Sequence, residues 1–94
     1  MERIKRRPVF SGAYKRDYKR LKHDSAGLEA LREILDTLVK GGALPKKAND
    51  HALSGDWRGY RECHVKPDLL LVYKIQDNGE LLLARLRKHG SLFG

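Results

Sequence analysis

The chain has 94 residues and a formal net charge of +8, and it contains one cysteine. This length favours a single domain, residues 1–94, with one modest core. A hydrophobic content of 40% excludes a wholly disordered chain, and no run reaches the ~18 apolar residues of a membrane span. One cysteine forms no internal disulfide, which fits a reducing cytoplasm, and the charged N-terminus does not resemble a secretory signal. The charge favours an anionic partner, nucleic acid or acidic protein, over a membrane.

The positive charge is concentrated at one end of the chain. Residues 1–23 contain nine basic and two acidic residues, a net charge of +7, whereas residues 24–94 carry a net charge of +1. A smaller basic cluster, Arg85, Arg87 and Lys88, follows near the C-terminus. Such runs are often only solvated surfaces, so the charge alone identifies no partner.

The first predicted elements are an edge strand and a basic helix. The segment from Ile4 to Phe10 suits an edge strand, since Pro8 is tolerated only at an edge or a bend. Ser11 is a suitable N-cap for the helix that follows. The predicted apolar stripe of this helix is Tyr14, Tyr18 and Leu21, and its outer face is rich in lysine and arginine.

The second helix is the clearest element in the sequence. Asp24 or Ser25 can cap it, and glycines at 41 and 42 end it. Its leucines recur at helical spacing, at Leu28, Leu31, Leu35 and Leu38. The segment from residue 43 to 55 is predicted as a loop.

Three strands are predicted in the C-terminal half. The first runs from Trp57 to Val65 and the second, a continuous apolar run typical of a central strand, from Leu69 to Ile75. The third runs from Leu81 to Leu86, after a hairpin turn at residues 77–79. The order strand, helix, helix, strand, strand, strand predicts an α+β fold, with two helices on one face of a mostly antiparallel sheet. The other face is then available for a ligand.

No metal, phosphate-loop or hydrolase motif is present. The four histidines are widely spaced, without H-x-x-x-H or C-x-x-C patterns, so we expect no metal or other cofactor. Cys63 lies in a predicted strand, where a buried and inert thiol is the common outcome.

Four polar residues lie at predicted strand ends or in loops: His51, His64, Asp68 and His89. In an ordinary protein each would be a surface or turn residue. Cleavage of RNA can use such a set without a metal, because RNA carries its own nucleophile, the 2′-hydroxyl. A base deprotonates it, an acid protonates the departing 5′-oxygen, and basic groups stabilise the phosphorane. Phe93 can either stack on a base or plug the core.

The residue pattern resembles a known toxin family. D-H-A-L-S-G, Y-R-E-C-H-V-K-P-D and H-G-S-L-F, within residues 50–75 and 85–93, are together similar to the YafQ branch of the RelE/ParE toxin superfamily. The similarity extends in outline over the whole chain. It implies a RelE-like fold and a bacterial type II toxin that cuts messenger RNA on the ribosome and is silenced by an antitoxin.

The resemblance also implies the site residues. The family's catalytic positions fall on His51, His64, Asp68, His89 and Phe93. Expected substrate-binding residues are Arg85, near the scissile phosphate, and with less support Arg61 and Arg87; Glu62 is a weaker candidate and Trp57 is either core or part of the RNA site. We assign the base to His51 or Asp68, the acid to His89, and phosphate binding to His64 with Arg85.

Two alternatives and a set of partners complete the expectations. A ParE-like toxin would inhibit DNA gyrase without cutting RNA, and a non-catalytic basic module would only bind RNA or the ribosome.

The expected partners are messenger RNA, ribosomal RNA and an antitoxin with an acidic segment. Operator DNA would be bound only through the antitoxin.

Overall fold

The structure, a computed structural model, describes residues 5–88. This range holds two helices, five strands and two short 3₁₀ turns. In chain order the helices and strands are β1 (Pro8–Phe10), α1 (Gly12–Lys19), α2 (Ser25–Val39), β2 (His51–Ala52), β3 (Arg61–Lys66), β4 (Leu69–Ile75) and β5 (Leu81–Lys88). The strands form one sheet in the order β1-β5-β4-β3-β2, in which only the β1–β5 pair is parallel.

The N-terminal strand and α1 cover one edge of this sheet. β1 pairs with the first three residues of β5, and Pro8 begins it, where a missing N–H is tolerated. The hydroxyl of Ser11 caps α1, accepting a hydrogen bond from the Tyr14 N–H at 2.9 Å. The same hydroxyl donates to the Ala84 carbonyl of β5 at 2.8 Å. α1 therefore begins against the part of β5 that no strand covers.

The predicted stripe of α1 is partly wrong. Tyr14 and Leu21 are buried, each 3% exposed, but Tyr18 is 46% exposed. The buried position between them is instead Asp17, 4% exposed, whose carboxylate accepts a hydrogen bond from the Leu86 N–H of β5 at 2.9 Å. An acidic side chain is buried there because it satisfies a backbone donor at the sheet edge.

The predicted boundaries of α2 are confirmed. Its N-cap is Asp24, whose carboxylate accepts a hydrogen bond from the Gly27 N–H at 2.8 Å. The helix ends at Val39, and Gly41 adopts a φ of 76°, which favours glycine. Its buried residues include Leu31, Ile34 and Leu38.

The segment between α2 and β3 is more regular than a loop. The predicted loop contains the two-residue strand β2, so that His51 lies on a strand that pairs with Glu62. The predicted strand start at Trp57 is wrong. Trp57 lies in a 3₁₀ turn, Gly55–Trp57, and β3 begins at Arg61. Two residues are too few to produce a periodic signal, and a glycine-rich turn interrupts the alternation that suggested a longer strand.

The three C-terminal strands form the body of the sheet. β4 has the predicted bounds and is buried from Leu69 to Tyr73, as expected for a central strand. In the turn before β5, Gly79 has a φ of 88° and the Asn78 side chain accepts a hydrogen bond from the Glu80 N–H at 3.0 Å. β5 continues two residues further than predicted, to Lys88.

Both helices pack on the same face of the sheet, which confirms the predicted α+β architecture. The core cluster joins residues of the helices to Cys63, Leu71, Tyr73, Leu83 and Leu86 of the strands, and a register shift in the β4–β5 pairing explains the three-residue step from Leu83 to Leu86. The residues between these positions point to the opposite face, which we call the open face. Within residues 5–88, no helix is long and apolar enough to cross a membrane.

Candidate active site on the open face

Two rows of side chains cross the open face. Strand pairing aligns the first row, His51, Glu62, Val72 and Arg85, across four strands. It aligns the second row, His64, Leu70 and Arg87, across three strands. Neighbouring strands lie about 5 Å apart, so His51 and Glu62 are direct neighbours, whereas the buried Val72 and Leu70 separate the arginines from the other polar groups of each row. The structure thus places two of the predicted catalytic histidines and two of the predicted arginines on one surface.

The contacts of His51 define which ring nitrogen can exchange a proton. Its Nδ1 lies 2.8 Å from the Asn49 carbonyl oxygen, which only accepts, so Nδ1 carries a hydrogen. Its Nε2 lies 3.4 Å from the Glu62 carboxylate. The Nε2 atom is therefore the one that gains or loses a proton, and a carboxylate lies beside it.

The second row meets a group of aromatic and basic side chains. The Arg87 guanidinium lies 5.2 Å from the ring centre of Trp57, a cation–π distance. Tyr60 packs edge-on against Trp57, with ring centres 5.0 Å apart, and Lys74 lies 5.4 Å from the Tyr60 ring centre. Trp57 thus borders the open face beside Arg87.

Asp68 and the end of β5 lie close together. Asp68 is in the exposed turn between β3 and β4, and one of its carboxylate oxygens is 3.6 Å from the Lys88 ammonium. His89 and Phe93, the two remaining catalytic predictions, lie outside the described residues. His89 follows Lys88 directly in sequence.

Arg85 reaches from the open face to α1. Its Nε donates to the Asp17 carboxylate at 2.8 Å and its Nη2 donates at 3.2 Å. Hydrogen bonding to Asp17 raises the pKa of Arg85 above its usual value, although desolvation opposes this. The predicted phosphate-binding arginine is thus held in a fixed orientation by a buried carboxylate.

Arg61 is placed differently from the other predicted residues. It alternates with Glu62 and so points to the helix side of the sheet, where its Nε and Nη2 donate to Asp50 at 3.1–3.3 Å. The Tyr73 hydroxyl donates to the same carboxylate at 2.6 Å. These bonds connect Asp50, which immediately precedes β2, to β3 and β4.

Cys63 is fully buried in the core on the helix side of β3. Desolvation by burial raises the pKa of its thiol to about 12, and nearby acidic groups add to the effect. A thiol of this kind is not a nucleophile at neutral pH.

Two residues near the candidate site, Glu62 and Asp17, were weakly or not at all indicated by the sequence. Glu62 is opposite His51 only because β2 exists, which the sequence did not reveal. Asp17 is the one acidic residue in α1, and its spacing of three from Tyr14 was the available signal for a buried position.

The fold and this surface define a class of protein. Two consecutive helices on one face of a five-stranded, mostly antiparallel sheet form the α+β architecture of the RelE-like toxins. A family described as the bacterial toxin of type II toxin-antitoxin system, YafQ, matches residues 6–94. The chain therefore belongs to the YafQ toxin family, as the sequence motifs predict.

Individual relatives are similar over almost their whole length. The chain is 36% identical to the mRNA interferase toxin YafQ of Escherichia coli strain K12, over 97% of this chain and 99% of that protein. It matches a chain in the crystal structure of the E. coli DinJ-YafQ toxin-antitoxin complex at 36% identity and a TM-score of 0.82, over 97% and 100% of the two chains. The E. coli relative is named as an enzyme that acts on messenger RNA, in agreement with the predicted endoribonuclease.

A third relative was crystallised with a metal. The metal-bound toxin from Helicobacter pylori is 38% identical with a TM-score of 0.81, over 93% of this chain and 98% of that one. Within the part of our chain that the structure describes, no group of three or more His, Cys, Asp or Glu side chains is arranged to hold a metal ion.

Proposed function

We propose that this chain is a ribosome-dependent endoribonuclease that cuts messenger RNA by attack of the 2′-hydroxyl on the adjacent phosphorus. The observation that carries the proposal is the pair of rows on the open face, which bring His51, His64, Arg85 and Arg87 onto one surface in a member of the YafQ family. Imidazoles supply the proton transfers and guanidinium groups stabilise charge on the phosphorane. A ribosomal substrate places the reaction in the cytoplasm.

The contacts support definite roles for the residues. We assign deprotonation of the 2′-hydroxyl to the Nε2 atom of His51, with Asp68 as the second candidate for this base. Glu62 lies 3.4 Å from that nitrogen and stabilises the imidazolium that forms. We assign phosphate binding to His64 with Arg85, and protonation of the 5′-oxygen to His89, with Phe93 stacking on a base.

The basic helix supplies a surface for the ribosome. Lys15, Arg16, Lys19 and Arg20 are exposed on or directly after α1. We propose that this surface binds ribosomal RNA through phosphate contacts, which orients the toxin on the translated message. An antitoxin, as DinJ is for E. coli YafQ, would neutralise the toxin, and its acidic residues would complement the same charge.

Expression in bacteria tests the proposal. Without an antitoxin, the chain should stop growth, and primer extension should detect cuts inside translated messages. His64→Ala and His89→Ala should relieve toxicity while antitoxin binding is retained, because each removes a group that acts on the phosphate or the leaving oxygen. His23→Ala is the matched control, since His23 is exposed beyond α1.

Two outcomes would contradict the proposal. If His64→Ala and His89→Ala both remain fully toxic, the catalytic assignment is wrong. If growth stops with intact messages and signs of DNA damage, the chain acts as a gyrase inhibitor instead.

A further inference from the structure

A small cleft lies where α1 ends against the last residues of β5. Its volume is about 150 Å³. Its charged lining consists of one carboxylate and four basic side chains: Asp17, Arg20, Arg85, Arg87 and Lys88. Asp17 has no role in the function proposed above, where Arg20 only contributes to the basic surface of α1, yet Asp17 is the most buried charged residue in the described range.

Asp17 organises the basic side chains around it. One carboxylate oxygen accepts from the Leu86 N–H at 2.9 Å and from Arg85 Nε at 2.8 Å. The other accepts from Arg85 Nη2 at 3.2 Å and from Arg20 Nη1 at 3.2 Å. Because a backbone group of the sheet fixes the carboxylate, the carboxylate in turn fixes two guanidinium groups from different elements.

The carboxylate remains charged at neutral pH. Burial by itself raises the pKa of Asp17, but hydrogen bonds from Arg85 and the Leu86 N–H outweigh it, so the pKa lies below the usual value. The arrangement of Arg20 and Arg85 is therefore maintained under the conditions in which RNA is bound.

The cleft has more hydrogen-bond donors than acceptors. A guanidinium group has five N–H donors, and Asp17 engages two from Arg85 and one from Arg20. The Arg85 side chain is 33% exposed and that of Arg20 is 76% exposed, so other donors face solvent. An anion with several oxygens would satisfy such a set.

We propose that this cleft binds a backbone phosphate of the substrate RNA, with Asp17 as a positioning residue that holds Arg20 and Arg85 in place. The proposal rests on the RNA-cutting function proposed above. Arg85 and Arg87 line the cleft and also belong to the rows of His51 and His64, so the cleft borders the candidate active site. This proximity favours RNA over an acidic segment of an antitoxin.

A binding measurement separates positioning from simple charge. The probe is a fluorescent RNA oligonucleotide with 2′-O-methyl groups throughout, which lacks the nucleophile and is not cut. Its affinity for the isolated toxin is measured by anisotropy over a range of salt concentrations. Arg20→Gln and Arg85→Gln should each weaken binding about three- to tenfold at low salt and reduce the salt slope by about one.

Asp17→Asn provides the sharpest outcome. This change makes the chain more positive, so charge alone predicts tighter binding to RNA. If Asp17 positions the arginines, binding should instead weaken, about as much as in Arg85→Gln, and the double variant should be no weaker than Arg85→Gln alone. Asp77→Asn, the same substitution in the exposed turn at the other end of β5, is the control for net charge.

Several results would overturn the proposal. It is wrong if Asp17→Asn binds RNA as tightly as Asp77→Asn does, or if the wild-type chain does not bind the oligonucleotide. Thermal unfolding shows whether Asp17→Asn is folded; if it is not, the exposed Arg20→Gln decides, and unchanged RNA binding contradicts the proposal. If Arg20→Gln weakens antitoxin binding but not RNA binding, the cleft belongs to the antitoxin. If the binding pattern holds but the wild-type chain cuts no message, the proposed function fails and the phosphate cleft stands.

Discussion

At the scale of single residues, burial decides which groups can react. Cys63 and His64 lie on β3, and His51 lies on the neighbouring strand β2. Cys63 points into the core, whereas both histidines point away from it. His51 is half-buried, with one ring nitrogen committed to the Asn49 carbonyl and the other beside Glu62. On β3, Cys63 and His64 are adjacent in sequence but point to opposite faces of the sheet.

This separation predicts that Cys63 does not react in the folded protein. Because burial raises the pKa of its thiol to about 12, Cys63 carries very little thiolate at pH 8. Iodoacetamide, followed by mass spectrometry, should leave the native chain unmodified and label it fully in denaturant. Cys63→Ser should also retain RNA cleavage. Rapid labelling of the native chain would show that β3 is not packed as described.

At the scale of elements, β2 has the fewest paired residues of the strands that carry the candidate site. It has two residues, pairs only with β3, and carries His51. The carboxylate of Asp50, directly before it, is bound by Arg61 and by the Tyr73 hydroxyl. The position of His51 therefore depends on bonds made on the other side of the sheet, where Arg61 donates to Asp50.

Substituting Arg61 tests this dependence. Arg61→Gln should lower kcat about tenfold and leave KM unchanged, because it displaces His51 without removing a substrate contact. Tyr73→Phe should lower kcat in the same way but by less. Arg32→Gln, on the exposed side of α2, is the control for loss of one positive charge. A raised KM with unchanged kcat in Arg61→Gln would instead assign Arg61 to substrate binding, as the sequence suggested.

The sequence predicts the elements that have many residues and a clear period. α2 and β4 were predicted with their observed bounds or nearly so, because their apolar patterns are long and their ends carry capping or turn residues. β2 was missed because two residues give no period. The burial of Asp17 and the exposure of Tyr18 were missed because they depend on the uncovered edge of β5, a feature that exists only after the strands have paired.

The candidate site was predicted in a different way from the fold. The motifs placed His51, His64 and Asp68 through family resemblance, and strand alternation separated Glu62 from Arg61. Their partners could not be predicted, because His51–Glu62 and Asp17–Arg85 are contacts between residues distant in sequence. The roles of His89 and Phe93 remain predictions from the motifs.

At the scale of the whole molecule, the charge and the chemistry occupy adjoining surfaces. Most of the net charge belongs to residues 1–23, and α1 presents much of it beside β5. The open face holds His51 and His64, and the Asp17–Arg85 contact joins the two regions. On our proposal, RNA supplies the nucleophile and the ribosome orients the message, so the toxin contributes mainly proton transfers and charge.

The most direct test concerns the products of cleavage. Ribosomes programmed with a defined message are incubated with the toxin, and the fragments are analysed by mass spectrometry. Attack by the 2′-hydroxyl predicts a 2′,3′-cyclic phosphate on the upstream fragment and a 5′-hydroxyl on the downstream one. A single 2′-deoxy substitution at the nucleotide before the cut should abolish cleavage there. A 5′-phosphate product, or unchanged cleavage of the deoxy-substituted message, would contradict the proposed mechanism.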